Sequence, residues 1–554
     1  MPNDYDIIVI GAGFGGPVAA KICADAGLKT LILERSQNVG EKVISGLTIP
    51  FYGFLFGPDF ILEGNPPFER PADGIVNYII KSLEPYDIKI DDSLKIPKPL
   101  SPIIAFGYHT YCKPFCEWLA KKACESGAEL RTSTTVIEVI KEDEKIRGII
   151  TDKGEKIYSK IVIDAEGSQG LVAIKAGIRK KYPPEAISLA DTYDYIMPKR
   201  IIDKVFGYSV KMCWAWDELK ISPPLGHGNG LMVWPYRDSL HFMQDQCLKI
   251  EGKVPNLRKL FDMYHDKITT NLDWWRDEVA PFIKLRARMW EGFEIYVGLD
   301  DKLRNMPNYG DSIILIGDAA GLESTELCDG VPAAWFSAEI AAKIAIQSIK
   351  QDNTSKDFLS RYNDEIKAHP IIQWSIQSKN RYNLRIAQQE HDEKKLKKFI
   401  HDGWGLGSLT TFTTPFLLTI LKYLSKDPFI LSKWIKMYFR YFQNWIYERY
   451  DYCDAQGPEH FREGNKFRLI IIMINAISKV LQSTKKLLLW FVHPFARSAN
   501  TFMKNTLRVI EPFYLCLIKM IEPWAERISK WMINAIKHVE PSQFRIHEHR
   551  GERF

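Results

Sequence analysis

The fold is decided by residues 5–25, which read YDIIVIGAGFGGPVAAKICAD. The first six form an apolar run typical of a buried strand, and a glycine-rich turn follows directly. The residues from Pro17 to Asp25 predict a helix that ends at Gly27, and TLILE (30–34) predicts a second strand. A strand, a glycine-rich turn, a helix and an acid-ended strand in this order indicate a dinucleotide-binding fold.

Each residue of this pattern has a physical role in such a fold. Gly11 permits the tight turn, Gly13 lets the backbone approach a pyrophosphate, and Gly16 lets the helix pack on the strand. The helix N-terminus offers the phosphates a positive dipole end. Glu34 is placed to accept hydrogen bonds from the ribose hydroxyls, and Arg35 beside it joins the expected cofactor-binding residues. A plain glycine-rich loop and a surface acid are the alternatives.

A second motif lies about 300 residues downstream. Residues 311–316 (DSIILI) predict a buried strand, GDAAG (317–321) follows, and residues 331–350 predict a helix. GxGxxG followed much later by GDAAG resembles the FAD-dependent oxidoreductases related to aromatic hydroxylases, and IVIDAEG (161–167) resembles another element of that family. The resemblance implies FAD as the cofactor, with Gly317 and Asp318 at the flavin and its ribityl chain.

Further motifs resemble the geranylgeranyl reductase family, which includes the electron-transfer-flavoprotein:quinone oxidoreductases. GEKVISG (40–46) is similar to the family loop that lies against the flavin ring. This implies that Lys42 binds the cofactor and that Ser45 and Gly46 face the reaction. Reductases of the family usually carry Cys in place of Ser45, whereas the quinone branch usually carries Ser.

Two more elements extend the resemblance. CDGV (328–331) is similar to an acid-Gly-Ile element of the family, so Gly330 and Val331 are expected at the cofactor. WPYRD (234–238) resembles a rearranged form of the substrate-pocket motif, which implies that Trp234 and Tyr236 wall the substrate channel. The resemblance covers roughly residues 5–350.

The helix FCEWLAKKA (115–123) departs from the family pattern. Cys112 and Cys116 stand where the family carries Arg and Asp, so a usual flavin contact is missing or moved, with Lys113 as the candidate to replace it. The two cysteines have helical spacing, and a buried helix face is favoured over a metal pair because no ligand partners lie nearby. We expect no metal site. Only Cys453 and Cys516 follow Cys328, which excludes the four-cysteine iron–sulfur cluster of the quinone oxidoreductases.

Composition and pattern together predict an α/β protein. The chain has 554 residues, 46% of them hydrophobic and 26% charged, which excludes disordered and collagen-like classes. We predict a Rossmann-like FAD-binding domain and an inserted α+β substrate domain, followed by a helical region and an amphipathic C-terminal extension. The predicted boundaries are 1–180 and 301–350 for the FAD domain, 181–300 for the insertion, 351–464 for the helical region and 465–554 for the extension. No apolar run is long enough to predict a spanning helix, and we expect a cytoplasmic location.

The predicted insertion is rich in tryptophan. These side chains line an apolar pocket or pack a core, and the sequence favours neither: Trp214, Trp216, Trp234, Trp274, Trp275 and Trp290. Four residues could donate a proton, and each is interpreted as a surface or satisfied polar residue: Asp191, Asp194, His227 and His241.

The positive charge is concentrated near the C-terminus. The net charge is +6, and residues 465–538 contain 12 Lys and Arg against three Asp and Glu, so bulk nucleic-acid binding is not indicated. The sequence MINAI occurs at 473–477 and again at 532–536, within proline-punctuated amphipathic repeats. Basic stripes opposite broad apolar faces predict peripheral membrane contact through 465–538. A helical bundle that docks on the body or on a partner is the alternative.

The resemblance to the reductases implies a flavoenzyme that reduces carbon–carbon double bonds of a prenyl (geranylgeranyl-type) lipid or quinone side chain, and the basic C-terminal stripes place it peripherally on a membrane. Reduced FAD would deliver a hydride from N5, and a nearby acid or water would supply the proton. The electron donor is open among NAD(P)H, ferredoxin and an electron-transfer flavoprotein. The alternatives are electron transfer between such a flavoprotein and a membrane quinone, hydroxylation with oxygen, and a non-enzymatic membrane scaffold.

Overall fold

The structure is a computed structural model. It describes residues 3–41, 46–72, 74–80, 90–91, 107–180, 187–207, 209–215, 230–247, 257–294, 307–322, 330–369, 371–372, 390, 392 and 394–395. The predicted flavin contacts Lys42 and Ser45, the proton-donor candidate His227, the tail 465–538 and most of 351–464 therefore lie outside the described residues.

The strands lie in three sheets. In chain order they are β1 (Tyr5–Ile10), β2 (Thr30–Leu33), β3 (Gly46–Pro50), β4 (Arg70–Ala72), β5 (Gly74–Ile80), β6 (Ile90–Asp91), β7 (Gly107–Tyr111), β8 (Glu129–Arg131), β9 (Val136–Glu142), β10 (Lys145–Thr151), β11 (Lys156–Asp164), β12 (Ile187–Ile196), β13 (Ser209–Ala215), β14 (Gly230–Pro235), β15 (Ser239–Cys247), β16 (Lys284–Glu294), β17 (Tyr309–Gly310) and β18 (Ile313–Leu315). The predicted strand at 311–316 is thus shorter than expected.

The helices cover the sheets. In chain order they are α1 (Gly16–Asp25), α2 (Phe51–Phe56), α3 (Asp59–Glu63), α4 (Cys112–Glu125), α5 (Leu171–Lys175), α6 (Lys199–Val205), α7 (Leu257–Asn271), α8 (Asp273–Glu278), α9 (Gly330–Lys350), α10 (Lys356–Leu359) and α11 (Arg361–Ala368). The predicted helices that begin at Pro17 and Val331 are each one residue longer than expected. No helix within the described ranges combines the length and apolar character needed to span a bilayer.

The first sheet has the order β17-β18-β11-β1-β2-β8; β10 pairs with β11, and β9 pairs with β10. Strands β18, β11, β1, β2 and β8 run parallel, and Ile10 pairs with both Leu33 and Asp164. Their apolar runs are buried because helices cover the sheet, as in other parallel sheets. The predicted α/β class, with a Rossmann-like parallel sheet, is confirmed. The carboxyl ends of β2, β1, β11 and β18 therefore meet along one edge.

Two helices hold this edge in place. In α1 the side chains of Val18, Ala19 and Cys23 are fully buried, and the small residues at its start let it approach β1 closely. The helix ends before Gly27, whose φ of +81° suits glycine. Helix α9 packs beside α1 with most of its length buried.

A second sheet has the order β16-β12-β15-β14-β13-β5-β6. Neighbouring strands are antiparallel except for β5, which runs parallel to β13. Residues 74–80 therefore belong to this sheet, although the sequence placed all of 1–180 in the FAD-binding domain. The division into the predicted domains otherwise stays a prediction.

The second sheet has a core of its own, in which α7 and α8 cover one face. Trp275 packs there against Phe242 and Tyr195, at ring-centroid distances of 5.1 and 5.8 Å. For Trp275 the core-packing interpretation is therefore right. A small third sheet, β3-β7-β4, lies where the first two sheets approach each other and carries Gly46 toward the second sheet.

Candidate functional site

The glycine-rich turn after β1 requires glycine for steric reasons at two positions. Gly11 has a φ of +100°, and a Cβ there would lie 2.4 Å from the carbonyl oxygen of Ala165. A Cβ on Gly16 would lie 1.9 Å from the carbonyl oxygen of Gly11. A Cβ on Gly13 would meet nothing within 4 Å, so Gly13 borders open space. The turn is therefore closed on the protein side and open at Gly13.

The acid at the end of β2 is fixed by the same turn. Glu34 is half-buried, and its Oε2 accepts the backbone N–H of Ala12 at 2.9 Å while its Oε1 accepts that of Ser36 at 2.9 Å. The neighbouring Arg35 is exposed and donates from Nη1 to Oε1 of Gln169 at 2.8 Å. The Glu34 carboxylate thus lies at the carboxyl edge beside the turn, where the sequence predicted it.

The second motif lies against the first. The backbone N–H of Ile316 donates to the carbonyl of Asp164 at 2.9 Å, and a Cβ on Gly15 would touch Ile316 and Ala334 at 3.2 Å. Gly317 has a φ of +55° and donates its N–H to Oγ of Ser337 at 3.0 Å. Two motifs about 300 residues apart in sequence therefore form one site.

The other predicted residues of this motif follow in the same place. Asp318 is half-buried in the short 3₁₀ turn Gly317–Ala320 that ends β18. Gly330 is the first residue of α9, and Val331 beside it is buried. The structure thus brings the GDAAG turn and the start of α9 to the edge that carries the glycine-rich turn.

A buried carboxyl within the IVIDAEG element (161–167) completes this edge, although the sequence assigned no role to this residue. Asp164 ends β11 and is 0% exposed, its Oδ1 accepts the N–H of Glu166 at 3.1 Å, and its Oδ2 has no hydrogen-bond partner among the described residues. Burial, and then the nearby charge of Glu166, raise the pKa of Asp164 to about 8.

The second part of the site lies where β3 meets the second sheet. Gly46 is buried, and a Cβ there would lie 2.0 Å from the hydroxyl oxygen of Tyr236. Tyr236 follows β14 directly, is 0% exposed and has no hydrogen-bond partner for its hydroxyl among the described residues. Trp234, two residues earlier, is also buried. Of the predicted reaction-site residues, Gly46 and Tyr236 therefore lie in contact, and Trp234 is two residues from Tyr236 in sequence.

Aromatic rings surround Tyr236. The ring of Tyr111 stacks on it at a centroid distance of 4.5 Å, and the ring of His241 lies 4.6 Å away. Arg70, itself buried in an ion pair with Asp203 at 2.6 Å, donates to the Tyr236 carbonyl at 3.1 Å. The position of Tyr236 is therefore fixed from the ring side and from the backbone side.

The aromatic wall consists of the rings of Tyr111, Tyr236 and His241, and a series of hydrogen-bonded and charged side chains runs behind it. His241 Nδ1 accepts the N–H of Gly46 at 2.9 Å, and its Nε2 lies 3.1 Å from Oδ1 of Asp194. Arg286 donates from Nε to Asp194 Oδ2 at 2.6 Å and from Nη2 to the Tyr111 hydroxyl at 2.8 Å. Burial raises the pKa of Asp194, but the contact with His241 and the hydrogen bond from Arg286 outweigh it and lower the pKa overall.

The sequence did not identify this series of side chains. The surface interpretation is wrong for three of the proton-donor candidates, which are buried: Asp191, Asp194 and His241. The alternative of a polar residue with its hydrogen bonds satisfied describes Asp191, because Arg288 binds both of its carboxylate oxygens. Tyr111 and Arg286 carried no sequence signal, because their proximity depends on strand pairing. The side chains of Trp214, Trp216 and Trp290 lie outside the described residues.

The two cysteines of α4 are buried, as the helix-face interpretation predicts. Cys112 and Cys116 are both 0% exposed, and burial raises the pKa of the Cys116 thiol well above its usual range. Lys113 approaches the turn at Gly40, where a Cβ would lie 2.8 Å from the Lys113 Cα. Among the described residues no group of three or more His, Cys, Asp or Glu is arranged to hold a metal ion.

Comparison with known proteins decides the class of the chain. The family model described as FAD dependent oxidoreductase matches residues 6–265. Digeranylgeranylglycerophospholipid reductase of Methanocaldococcus jannaschii is 27% identical over 367 residues, which cover 65% of this chain and 82% of the relative. Protein FixC of Escherichia coli K12 is 26% identical over 380 residues, which cover 66% and 82%.

A solved structure gives the same result for the fold. The geranylgeranyl bacteriochlorophyll reductase-like protein of Thermoplasma acidophilum has a TM-score of 0.52 and 18% identity, and the match covers 72% of this chain and 96% of that one. This chain is a geranylgeranyl reductase-like, FAD-dependent oxidoreductase.

The carboxyl edge of this oxidoreductase fits its cofactor. The open space at Gly13 and the positive end of α1 suit a pyrophosphate, and Glu34 is placed for the ribose, so we propose that these residues hold the nucleotide half. We propose that Gly317, Asp318, Gly330 and Val331 hold the flavin half. The roles predicted for Lys42 and Ser45 stay predictions.

The buried carboxyl of Asp164 makes the unfolding free energy of this oxidoreductase depend on pH. The folded state raises the pKa of Asp164 to about 8, so its contribution to stability is full below about pH 4 and is lost as the pH rises through 8. We expect the wild-type apoprotein to lose roughly 1–3 kcal/mol more unfolding free energy than Asp164→Asn between pH 5 and pH 8. Urea denaturation at several pH values measures this difference. Parallel pH profiles for the two proteins would contradict it.

Proposed function

We propose that this oxidoreductase reduces carbon–carbon double bonds of a prenyl, geranylgeranyl-type lipid while bound peripherally to a membrane. When bound, reduced FAD supplies a hydride, and the alkene gains that hydride and one proton. The observation that carries the proposal is the aromatic wall at Gly46, which holds the buried hydroxyl of Tyr236. The relatives whose names include digeranylgeranylglycerophospholipid reductase support the substrate class.

The wall suits an isolated alkene for a physical reason. Such a double bond has no carbonyl for a site to polarise, so the protein binds it through apolar contact and excludes water. The rings of Tyr236 and Tyr111 stack at the start of β3, and Trp234, two residues before Tyr236, is buried as well. Holding the alkene in line with the cofactor contributes roughly 7–11 kcal/mol toward lowering the barrier.

The proton source proposed here is the hydroxyl of Tyr236. Its burial, and then the charge of Tyr111, raise the pKa of Tyr236 well above its usual value, so Oη keeps its proton across the physiological range. A weak acid of this kind suits transfer to a strongly basic carbon in a site without water. The Arg70 contact and the Tyr111 ring keep the hydroxyl in place.

Electron transfer between an electron-transfer flavoprotein and a membrane quinone is the second candidate. Ser45 in the sequence favours it, and the FixC proteins match this chain about as well as the lipid reductases do. The wall of aromatic rings also suits a quinone ring. The absence of the four-cysteine pattern from the sequence counts against it.

The test uses the full-length protein loaded with FAD and reduced by dithionite. It is incubated with digeranylgeranylglycerol phospholipid in vesicles, and the products are analysed by mass spectrometry. We expect the lipid to gain pairs of hydrogen atoms only when the protein is present. Quinone reduction by a reduced flavoprotein without prenyl saturation would instead support the second candidate. Oxygen-dependent NAD(P)H oxidation stimulated by an aromatic substrate would support hydroxylation.

A further inference from the structure

The N–H of Gly46 is bound by a side chain far away in the sequence. His241 Nδ1 accepts it at 2.9 Å across a separation of 195 residues, and His241 is 0% exposed. Gly46 opens β3 and is the last residue of GEKVISG (40–46), the segment expected to face the flavin. This single bond therefore ties the end of that segment to the second sheet.

The neighbours of His241 determine which of its nitrogens is free to accept. Because Nδ1 accepts the Gly46 N–H, the proton of the neutral ring is on Nε2, which faces Asp194 Oδ1 at 3.1 Å. This contact is not a straight hydrogen bond, so it acts chiefly through the carboxylate charge. Burial lowers the pKa of His241, Asp194 opposes this and Arg286 adds to it, so the ring is neutral at physiological pH.

The polar side chains behind His241 come from three adjacent strands and from β7. Asp194 on β12 pairs in register with His241 on β15, and Arg286 on the neighbouring β16 binds the second Asp194 oxygen at 2.6 Å. Arg286 continues to the Tyr111 hydroxyl on β7, the strand that pairs with β3. The imidazole is therefore oriented by groups that themselves have fixed partners.

The other end of the segment is fixed separately. Gly40 has a φ of +71° and lies against the backbone of Lys113 and the side chain of Cys116 at the start of α4. The two described ends of the segment are thus fixed differently, Gly40 by packing and Gly46 by the His241 bond. At Gly46 this bond adds to the pairing of Gly46 with Tyr111 on β7 and to its close packing on the Tyr236 hydroxyl.

We propose that His241, oriented by Asp194 and Arg286, is a positioning residue that fixes the backbone of Gly46 by accepting its N–H, at the end of the segment expected to face the flavin. The inference rests on the proposed function only in assigning residues 40–46 to the flavin. His241 acts through the backbone of Gly46, and it sets how that backbone meets the ring of the bound cofactor.

Two substitutions separate the two nitrogens of the ring. In His241→Asn the side-chain oxygen lies near the position of Nδ1 and can still accept the Gly46 N–H, but contact with Asp194 is lost. In His241→Gln the amide reaches the position of Nε2 and can contact Asp194, but the acceptor for Gly46 is lost. His109→Asn is the matched control. His109 on β7 also uses its Nδ1 in a hydrogen bond to β3, the strand of Gly46, where it lies 2.8 Å from Oγ1 of Thr48.

The first measurement uses the apoprotein and needs no substrate. Hydrogen exchange, followed by mass spectrometry with overlapping peptides that isolate Gly46, reports the bond directly. We expect exchange of the Gly46 amide to be at least about tenfold faster in His241→Gln than in wild type, with His241→Asn and His109→Asn close to wild type. Equal exchange in the Gln and Asn variants would overturn the proposal.

The second measurement uses the FAD-loaded protein and separates positioning from mere folding. We expect a shifted visible spectrum and flavin reduction potential in His241→Gln, with both restored toward wild type in His241→Asn. Faster exchange without any change in spectrum or potential would reduce His241 to a structural residue and overturn the proposal. If these readouts behave as expected while no prenyl lipid is saturated even by wild type, the proposed function fails and this inference stands.

Discussion

Gly16→Ala is expected to abolish FAD binding and to destabilise the protein, because its Cβ would lie 1.9 Å from the carbonyl oxygen of Gly11. The main obstacle is the backbone of Gly11 rather than a flexible side chain, so relief requires α1 to move away from β1. Overpacking of this kind typically costs about 1–3 kcal/mol or more, and the displaced helix no longer presents its N-terminus to the phosphates. FAD content after purification and thermal unfolding of the apoprotein measure the two effects.

Gly13→Ala separates cofactor binding from folding at the same turn. A Cβ at Gly13 meets nothing within 4 Å, so the apoprotein is expected to unfold at the same temperature as wild type. FAD affinity is expected to fall by roughly tenfold or more, since the methyl group occupies the space proposed for the pyrophosphate. Titration followed by flavin fluorescence gives the affinity, and wild-type affinity in Gly13→Ala would contradict the placement of the cofactor.

Gly27→Ala is the matched control for both variants. Gly27 has a φ of +81° and nothing within 4 Å of its Cβ position, at the far end of α1. We expect a stability loss of about 1 kcal/mol from backbone strain and unchanged FAD affinity. The three glycines of one strand-turn-helix unit thus give three different results for stated reasons.

Tyr236→Phe is expected to make the protein more stable and less active. Its hydroxyl is fully buried without a partner among the described residues, so removing it is expected to raise the unfolding free energy of the apoprotein by about 1 kcal/mol. Loss of the proposed proton donor is expected to lower the rate of prenyl saturation by about 10²–10⁴-fold. Urea denaturation and product analysis by mass spectrometry measure the two quantities.

Tyr195→Phe provides the comparison, because its hydroxyl is hydrogen-bonded to His265 Nε2 at 2.8 Å inside the core of the second sheet. We expect this variant to lose about 1 kcal/mol and to keep wild-type turnover. Tyr236→Phe with full activity would show that another group supplies the proton, whereas a loss of stability would show that the hydroxyl has a partner.

The cofactor edge could be predicted from sequence because its signals are local. Gly11, Gly13 and Gly16 serve one turn, and Glu34 follows from the next strand, so a pattern of about 30 residues contains the whole unit. The prediction of Asp318 depended on a second motif, GDAAG (317–321). This motif meets the glycine-rich turn because β18 and β1 are parallel strands of one sheet, so their carboxyl ends lie along the same edge. Asp164 was missed as a buried acid because sequence alone does not show that its neighbours Glu166 and Ile316 enclose it.

The reaction side was predicted less well because it depends on pairing between distant strands. Asp194, His241 and Arg286 become neighbours only through the register of β12, β15 and β16. The requirement for glycine at Gly46 has the same origin, since the atom that excludes a Cβ belongs to Tyr236. A motif search could name Gly46 and Tyr236 separately, but it could not show that they touch.

The parallel pairing of β5 with β13 bears on how the chain is made. Residue 74 leaves the ribosome long before residue 209, so the earlier strand must remain without its neighbour while the intervening polypeptide is synthesised. During that interval its open edge is available to other nascent chains. Slow translation lengthens this interval, and we expect a chaperone that shields the edge until β13 emerges to improve the yield of folded enzyme.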